Sequence, residues 1–200
     1  MSHVRAHVQN AIGDQRGTPR FALLIRAAKL VTSGGEYLCI VRDVSETGLK
    51  VRTFCPLPRE AQMVLGLPNG DTYSVRKIWE NGDNAGFRFT GDVDLVTLLG
   101  DSTDRKRRPV RLKLALPAKL HTQDGVHNVV FRDISQQGGC IECLARLAVD
   151  ERARLENPQL PPIICRVRWR REPLYGLVFD QTFQFDQLAR LTASVQQRLA

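Results

Sequence analysis

Aromatic side chains are scarce in this chain, at 6% of 200 residues with only two tryptophans and three tyrosines. Proteins that read single-stranded nucleic acid by stacking interleave aromatics with basic residues along a strand, and no stretch here does so. Nucleic acid is therefore not the expected partner. Long apolar runs are missing as well. No stretch of about 18 apolar residues occurs, so no membrane span is expected. The segment from Met1 to Asp14 is polar, so no secretory leader is expected either. Cysteine is sparse, odd in number and scattered at 39, 55, 140, 143 and 165. That usage fits reduced thiols and a cytoplasmic location rather than a disulfide framework. Cys140-Ile-Glu-Cys143 has the spacing of a metal-ligand pair but sits in a strand-like run, where residues three apart face opposite ways. No second pair and no nearby histidine complete it, so buried thiols are expected and a metal is not. Signatures of catalysis are absent too: no HExxH, Walker loop, GxGxxG or Ser–His–Asp order. The four histidines (3, 7, 121 and 127) lie at the terminus or near a turn, and His121 and His127 are expected to be solvated. An enzyme is not expected.

What the chain does have is basic charge, unevenly spread. The net charge of +8 divides into +2 for residues 1–100 and +6 for residues 101–200. Such an excess favours an anionic partner without naming it.

An internal repeat is the dominant feature. Asp43-Val-Ser45-Glu-Thr-Gly48 returns ninety residues later as Asp133-Ile-Ser135-Gln-Gln-Gly138. In the same register Lys29-Leu30 matches Lys119-Leu120, Trp79 matches Trp169, and Gly86-Phe87-Arg88-Phe89 matches Gly176-Leu177-Val178-Phe179. Upstream of each motif lies an arginine pair four apart, Arg16/Arg20 and Arg107/Arg111. The pairs are offset by 91, so the first copy holds one extra residue after Arg20.

Each copy reads as β structure. Short apolar-rich runs punctuated by Thr-Ser-Gly-Gly at 32–35 and Gln-Asp-Gly at 123–125 predict antiparallel strands closing into a barrel or sandwich. Strands are expected over 21–31, 37–42, 49–54, 61–67, 73–79 and 85–89. In the second copy they are expected over 112–121, 127–132, 140–144, 153–155, 164–169 and 175–179. A helical pattern closes each copy: 92–99, capped by Asp92 and stopped by Gly100, and 186–199, with Leu188, Leu191, Val195 and Leu199 near one face. That stripe is expected to pack on its own barrel rather than on another subunit. The organisation expected is an N-terminal tail over 1–15, a first domain over 16–100, a polar basic linker over 101–111, and a second domain over 112–200.

Pro19 and Pro109 hold their preceding residues away from helix, so both arginine pairs lie on loop or extended backbone. A guanidinium fork binds phosphate bidentately and stacks on a flat base. An aspartate accepts hydrogen bonds from ring and amino N–H groups, and a serine adds a donor or acceptor. Gly48 and Gly138 supply the backbone freedom of a tight turn. Either feature alone describes an ordinary basic run or a polar hairpin. Both together, twice, point to a ligand carrying phosphates and nucleobase edges.

Arg-xxx-Arg followed by Asp-x-Ser-xx-Gly, then a tryptophan (Trp79, Trp169) and, in the second copy, Tyr175-Gly-Leu-x-Phe179, resembles the PilZ domain, the bacterial receptor module for cyclic di-GMP. The resemblance spans roughly 16–99 and 107–199 as two tandem copies. It implies an all-β fold of six-stranded antiparallel barrels, each with a C-terminal helix, and an arginine-bearing loop that closes over the ligand. It implies Arg16, Arg20, Asp43, Ser45 and Gly48 as one cyclic di-GMP site, and Arg107, Arg108, Arg111, Asp133, Ser135 and Gly138 as the other. Arginines would grip phosphate and guanine, while aspartate and serine would read a guanine edge or buttress the arginines. The first copy has Glu80-Asn81-Gly82 where the second has Arg170-Arg171, which makes it less positive and the expected weaker site. Binding is expected to order the linker and pass a signal on by protein contact. A tandem-barrel adaptor with one or both sites silent is the alternative.

Overall fold

The structure, a computed structural model, describes residues 26–95, 98 and 109–199. Two closed six-stranded antiparallel barrels follow one another along the chain. The first comprises β1 (Arg26–Thr32), β2 (Gly35–Val44), β3 (Gly48–Arg52), β4 (Gln62–Gly66), β5 (Thr72–Asn81) and β6 (Asn84–Phe89). The second comprises β7 (Leu112–His121), β8 (Val126–Ser135), β9 (Gly138–Cys143), β10 (Arg152–Asn157), β11 (Leu160–Arg171) and β12 (Leu174–Phe179). Strand order around the barrels is β1-β2-β3-β6-β5-β4 and, in the other sense, β10-β11-β12-β9-β8-β7, so the two share one topology. A helix, α1 (Phe185–Leu199), follows β12.

Alternation makes the barrels. Along β7, Leu112, Leu114, Leu116, Ala118 and Leu120 are buried while the intervening residues are exposed. The period of two sends alternate side chains to opposite faces, and each fully buried leucine contributes roughly 1.5–3 kcal/mol. Closure pairs every strand on both sides and leaves no edge open to another chain.

The helix does more than plug its own barrel. Leu188, Ala189 and Val195 pack into the second core, as expected, but Ala193 joins the first. Leu38, on the outer face of β2, is buried in the second core rather than its own. The Phe54 ring meets Phe185 edge-on at 5.5 Å between centroids, and the Arg52 guanidinium lies 5.4 Å over Phe54. Gln196 completes the contact: its Oε1 accepts from the Glu36 N–H at 2.6 Å and its Nε2 donates to the Glu36 carbonyl at 2.8 Å. Gly35, at φ 136°, makes room, since a Cβ there would lie 2.1 Å from Gln196 Oε1.

Several expectations change in detail. Asp43, Asp133 and Ser135 lie inside strands, not in turns. A bulge places each aspartate, because the register slips between Val41 and Asp43 and between Phe131 and Asp133. One extra residue in a strand re-aims the side chain that follows. Of the helix expected at 92–99, Leu95 and Leu98 are helical, residues 92–94 are not, so Asp92 does not cap it, and 96, 97 and 99 lie outside the described residues. His121 and His127 are half-buried and engaged rather than solvated. His121 Nε2 lies 3.0 Å from Glu156, and His127 Nε2 lies 3.3 Å from the Thr122 hydroxyl.

Candidate functional site

In the second barrel the motif forms the tip of the β8–β9 hairpin. The Ser135 hydroxyl is buried and donates to the Gly138 carbonyl at 3.0 Å, closing the turn. Gly138 is required by packing, since a Cβ there would meet the Leu177 carbonyl oxygen at 2.1 Å. Asp133 Oδ1 accepts from the Cys140 N–H at 3.1 Å and from Arg111 Nη1 at 2.5 Å. One carboxylate oxygen therefore faces both the hairpin backbone and the last linker arginine. The Arg111 side chain is half exposed while Asp133 is 28% exposed, so the guanidinium keeps donors free towards solvent. Arg107 and Arg108 lie outside the described residues.

The floor beside this pair is the outer face of β9, β12 and β11. Cys140 pairs with Gly176, and Gly138 with Val178. The Trp169 indole covers Gly176, where a Cβ would lie 1.8 Å from the indole nitrogen. Trp169 remains 42% exposed and Val178 39% exposed, an apolar shelf next to the cation. Cys143 turns the other way into the core, so the two cysteines of the 140–143 pair do not converge. Burial raises the Cys140 thiol above its ordinary range, and the Asp133 carboxylate raises it further.

The first barrel repeats the geometry with other side chains. The Ser45 N–H and hydroxyl both donate to the Gly48 carbonyl, at 2.8 and 3.2 Å. A Cβ on Gly48 would meet the Phe87 carbonyl oxygen at 2.3 Å. Here the outer face is hollowed into a cavity of about 450 Å³. Asp43, Gly48, Lys50, Ile78, Trp79 and Arg88 are among its walls. The volume suits a small ligand, whose pockets run from roughly 300 to 1,000 Å³. Arg16 and Arg20, the expected cations of this site, lie outside the described residues.

Sequence reading missed Lys50, Ile78 and Arg88, which stand where the second barrel has Cys140, Arg168 and Val178. The signal that could have found them is the strand period itself: counting by twos from Gly48 puts Lys50 on its face. Comparing charge at 80–82 alone understated the first site. Glu80 does not face the cavity as a free anion, because it accepts from Lys77 Nζ and from the Leu57 N–H, both at 2.9 Å. Lys50 and Arg88 supply cations there instead.

Fold and hairpin together define a class: tandem antiparallel barrels, each carrying a polar motif on an outer face. The PilZ domain model matches residues 105–197, the part of the chain that forms the second barrel. Solved structures with a similar arrangement include the Borreliella burgdorferi PlzA protein in complex with c-di-GMP, at 12% identity and a TM-score of 0.34. That match covers 85% of this chain and 86% of the other. Another is Escherichia coli YcgR in complex with c-di-GMP, at 13% identity and a TM-score of 0.33, covering 88% and 85%. A third is the Bacillus subtilis inhibitor of motility (MotI/DgrA), at 14% and 0.36, covering 88% and 97%. No curated protein matches the chain. Among the described residues no helix is long and apolar enough to cross a membrane, and no cluster of three or more histidine, cysteine or acidic side chains could hold a metal ion.

Proposed function

We propose that this chain is a cyclic di-GMP receptor that acts by binding rather than catalysis, with its principal site on the second barrel. The Arg111–Asp133 pair supports this reading most directly. A guanidinium is held by a carboxylate at the rim of an apolar shelf, with donors left for a phosphate or a guanine face. In this reading Asp133 buttresses Arg111 and offers its second oxygen to a guanine edge. Ser135 and Gly138 shape the hairpin, and Arg107 and Arg108 close over the ligand from the linker. Trp169 and Val178 form the surface on which a base lies. The first barrel offers a second site, with Asp43 and Ser45 on the hairpin, Gly48 at its turn, and Arg16 and Arg20 from the preceding segment. Lys50 and Arg88 add to it.

Ligand binding would order the linker between the barrels and create a surface for a protein partner in the cytoplasm. Titration calorimetry with cyclic di-GMP tests the proposal. Losing one desolvated, charged partner costs about 2–5 kcal/mol, so Arg111→Ala and Arg107→Ala should each weaken the second site by more than tenfold. Unchanged affinity and stoichiometry in both variants would discard the assignment.

A further inference from the structure

The chain leading into the second barrel is hydrogen-bonded to the first barrel. Lys29 Nζ, on β1, donates to the Arg111 carbonyl at 2.9 Å and to Glu36 Oε2 at 2.8 Å. The same Glu36 oxygen accepts the Lys113 N–H at 2.7 Å, at the start of β7. Residues 111 and 113 are thus pinned by their backbones to β1 and β2, while the Arg111 side chain between these anchors reaches Asp133. Glu36 is itself nearly inaccessible, 6% exposed, with its backbone gripped from the other side by Gln196.

The repeat supplies a control within the molecule. Ninety residues on, Lys119 stands for Lys29, but Val126 stands for Glu36 and is 57% exposed. The hairpin of a barrel of this kind therefore closes without the acid. Burying Glu36 costs free energy that its partners offset, and these are the Lys113 N–H of β7 and the Lys29 ammonium, which also reaches the Arg111 carbonyl. The carboxylate thus ties the first barrel's Lys29 to the backbone of the second barrel.

We propose that Lys29 and Glu36 are positioning residues for the cyclic di-GMP site of the second barrel, acting through the Arg111 and Lys113 backbone. This rests on the receptor reading above. A backbone fixed beforehand spares the ligand the cost of ordering it, and immobilising each side chain or short segment on binding weighs about two- to tenfold in affinity.

The test uses the full chain and four proteins: wild type, Glu36→Gln, Lys29→Met and the double variant. Cyclic di-GMP affinity is read by calorimetry, and exchange of the Lys113 amide by NMR or mass spectrometry. Each single variant should keep its fold and bind about three- to tenfold more weakly at the second site. The double variant should lose less than the sum of the singles, because the two side chains bond each other as well as neighbouring backbone groups. Without ligand, the Lys113 amide should exchange faster in Glu36→Gln than in wild type, and ligand should restore its protection. A purely stabilising ion pair would lower the melting temperature and leave affinity untouched, which overturns the proposal. Should Glu36→Gln not fold, Lys29→Met decides by the same readouts, since that lysine is partly exposed. Wild type without binding heat would instead remove the receptor reading itself, and the proposal with it.

Discussion

Replacing Gln196 with alanine should uncouple the two barrels. The side chain is 7% exposed and spans the interface, accepting from Glu36 N and donating to Glu36 O, with a further bond from Nε2 to the Thr192 carbonyl at 3.1 Å. Alanine leaves a buried N–H and a buried C=O on β2 without partners. Each orphaned group costs about 1–3 kcal/mol, and water entering the vacated space offsets part of it, so a loss of about 2–4 kcal/mol is expected. Gly35→Ala should mimic the effect, because its Cβ would sit 2.1 Å from Gln196 Oε1 and its φ of 136° is strained for any L side chain. Combining the two should cost less than their sum, since alanine at 196 removes the atom that the new methyl strikes. Urea unfolding followed by tryptophan fluorescence reads this out. Trp79 reports the first barrel and Trp169 the second, so each is followed with the other replaced by phenylalanine. The two midpoints should part in Gln196→Ala. Midpoints that stay together with a change under about 0.5 kcal/mol, the ordinary range for an uninvolved surface site, would refute the latch.

Other outcomes follow from the same structure. Gly176→Ala should push the Trp169 indole off the outer face, shifting its emission and weakening ligand binding at the second site while leaving Trp79 in place; an unchanged spectrum would mean that the shelf is not built as described. The counterpart Gly86→Ala should disturb Trp79 and the first cavity only. Burial raises the Cys165 thiol from 9.0 to about 12, and burial alone pushes Cys39 higher still. A group whose pKa is raised by folding contributes stability that is complete below its unfolded value and lost as pH climbs towards the folded one. Stability should therefore fall between about pH 9 and 12. Cys39→Ala should flatten that fall, and a pH-independent unfolding free energy across this window would count against the buried thiol. At pH 8 a thiol reagent should label the native chain slowly and reach five groups only on unfolding.

The period-two alternation of Leu112 through Leu120, and the repeat of the hairpin motif ninety residues apart, determined the barrels. Side-chain direction in a strand is local geometry, and a repeat of that length states how many domains there are. The Asp-x-Ser-xx-Gly hairpin was legible for the same reason: a serine closing its own turn and a glycine against a neighbouring carbonyl are short-range demands. Tertiary structure alone decided that Asp133 faces Arg111, because the bulge before Asp133 re-aims its side chain and no sequence period announces a bulge. It also decided that Lys50, Ile78 and Arg88 share one cavity, since they come from three strands that pair side by side as β3, β6 and β5, out of chain order. The meeting of Glu36 with Gln196 and Lys113 is of the same kind. These groups are 160 and 77 residues apart, and what joins them is the docking of one closed surface on another, which depends on shape rather than on any local pattern.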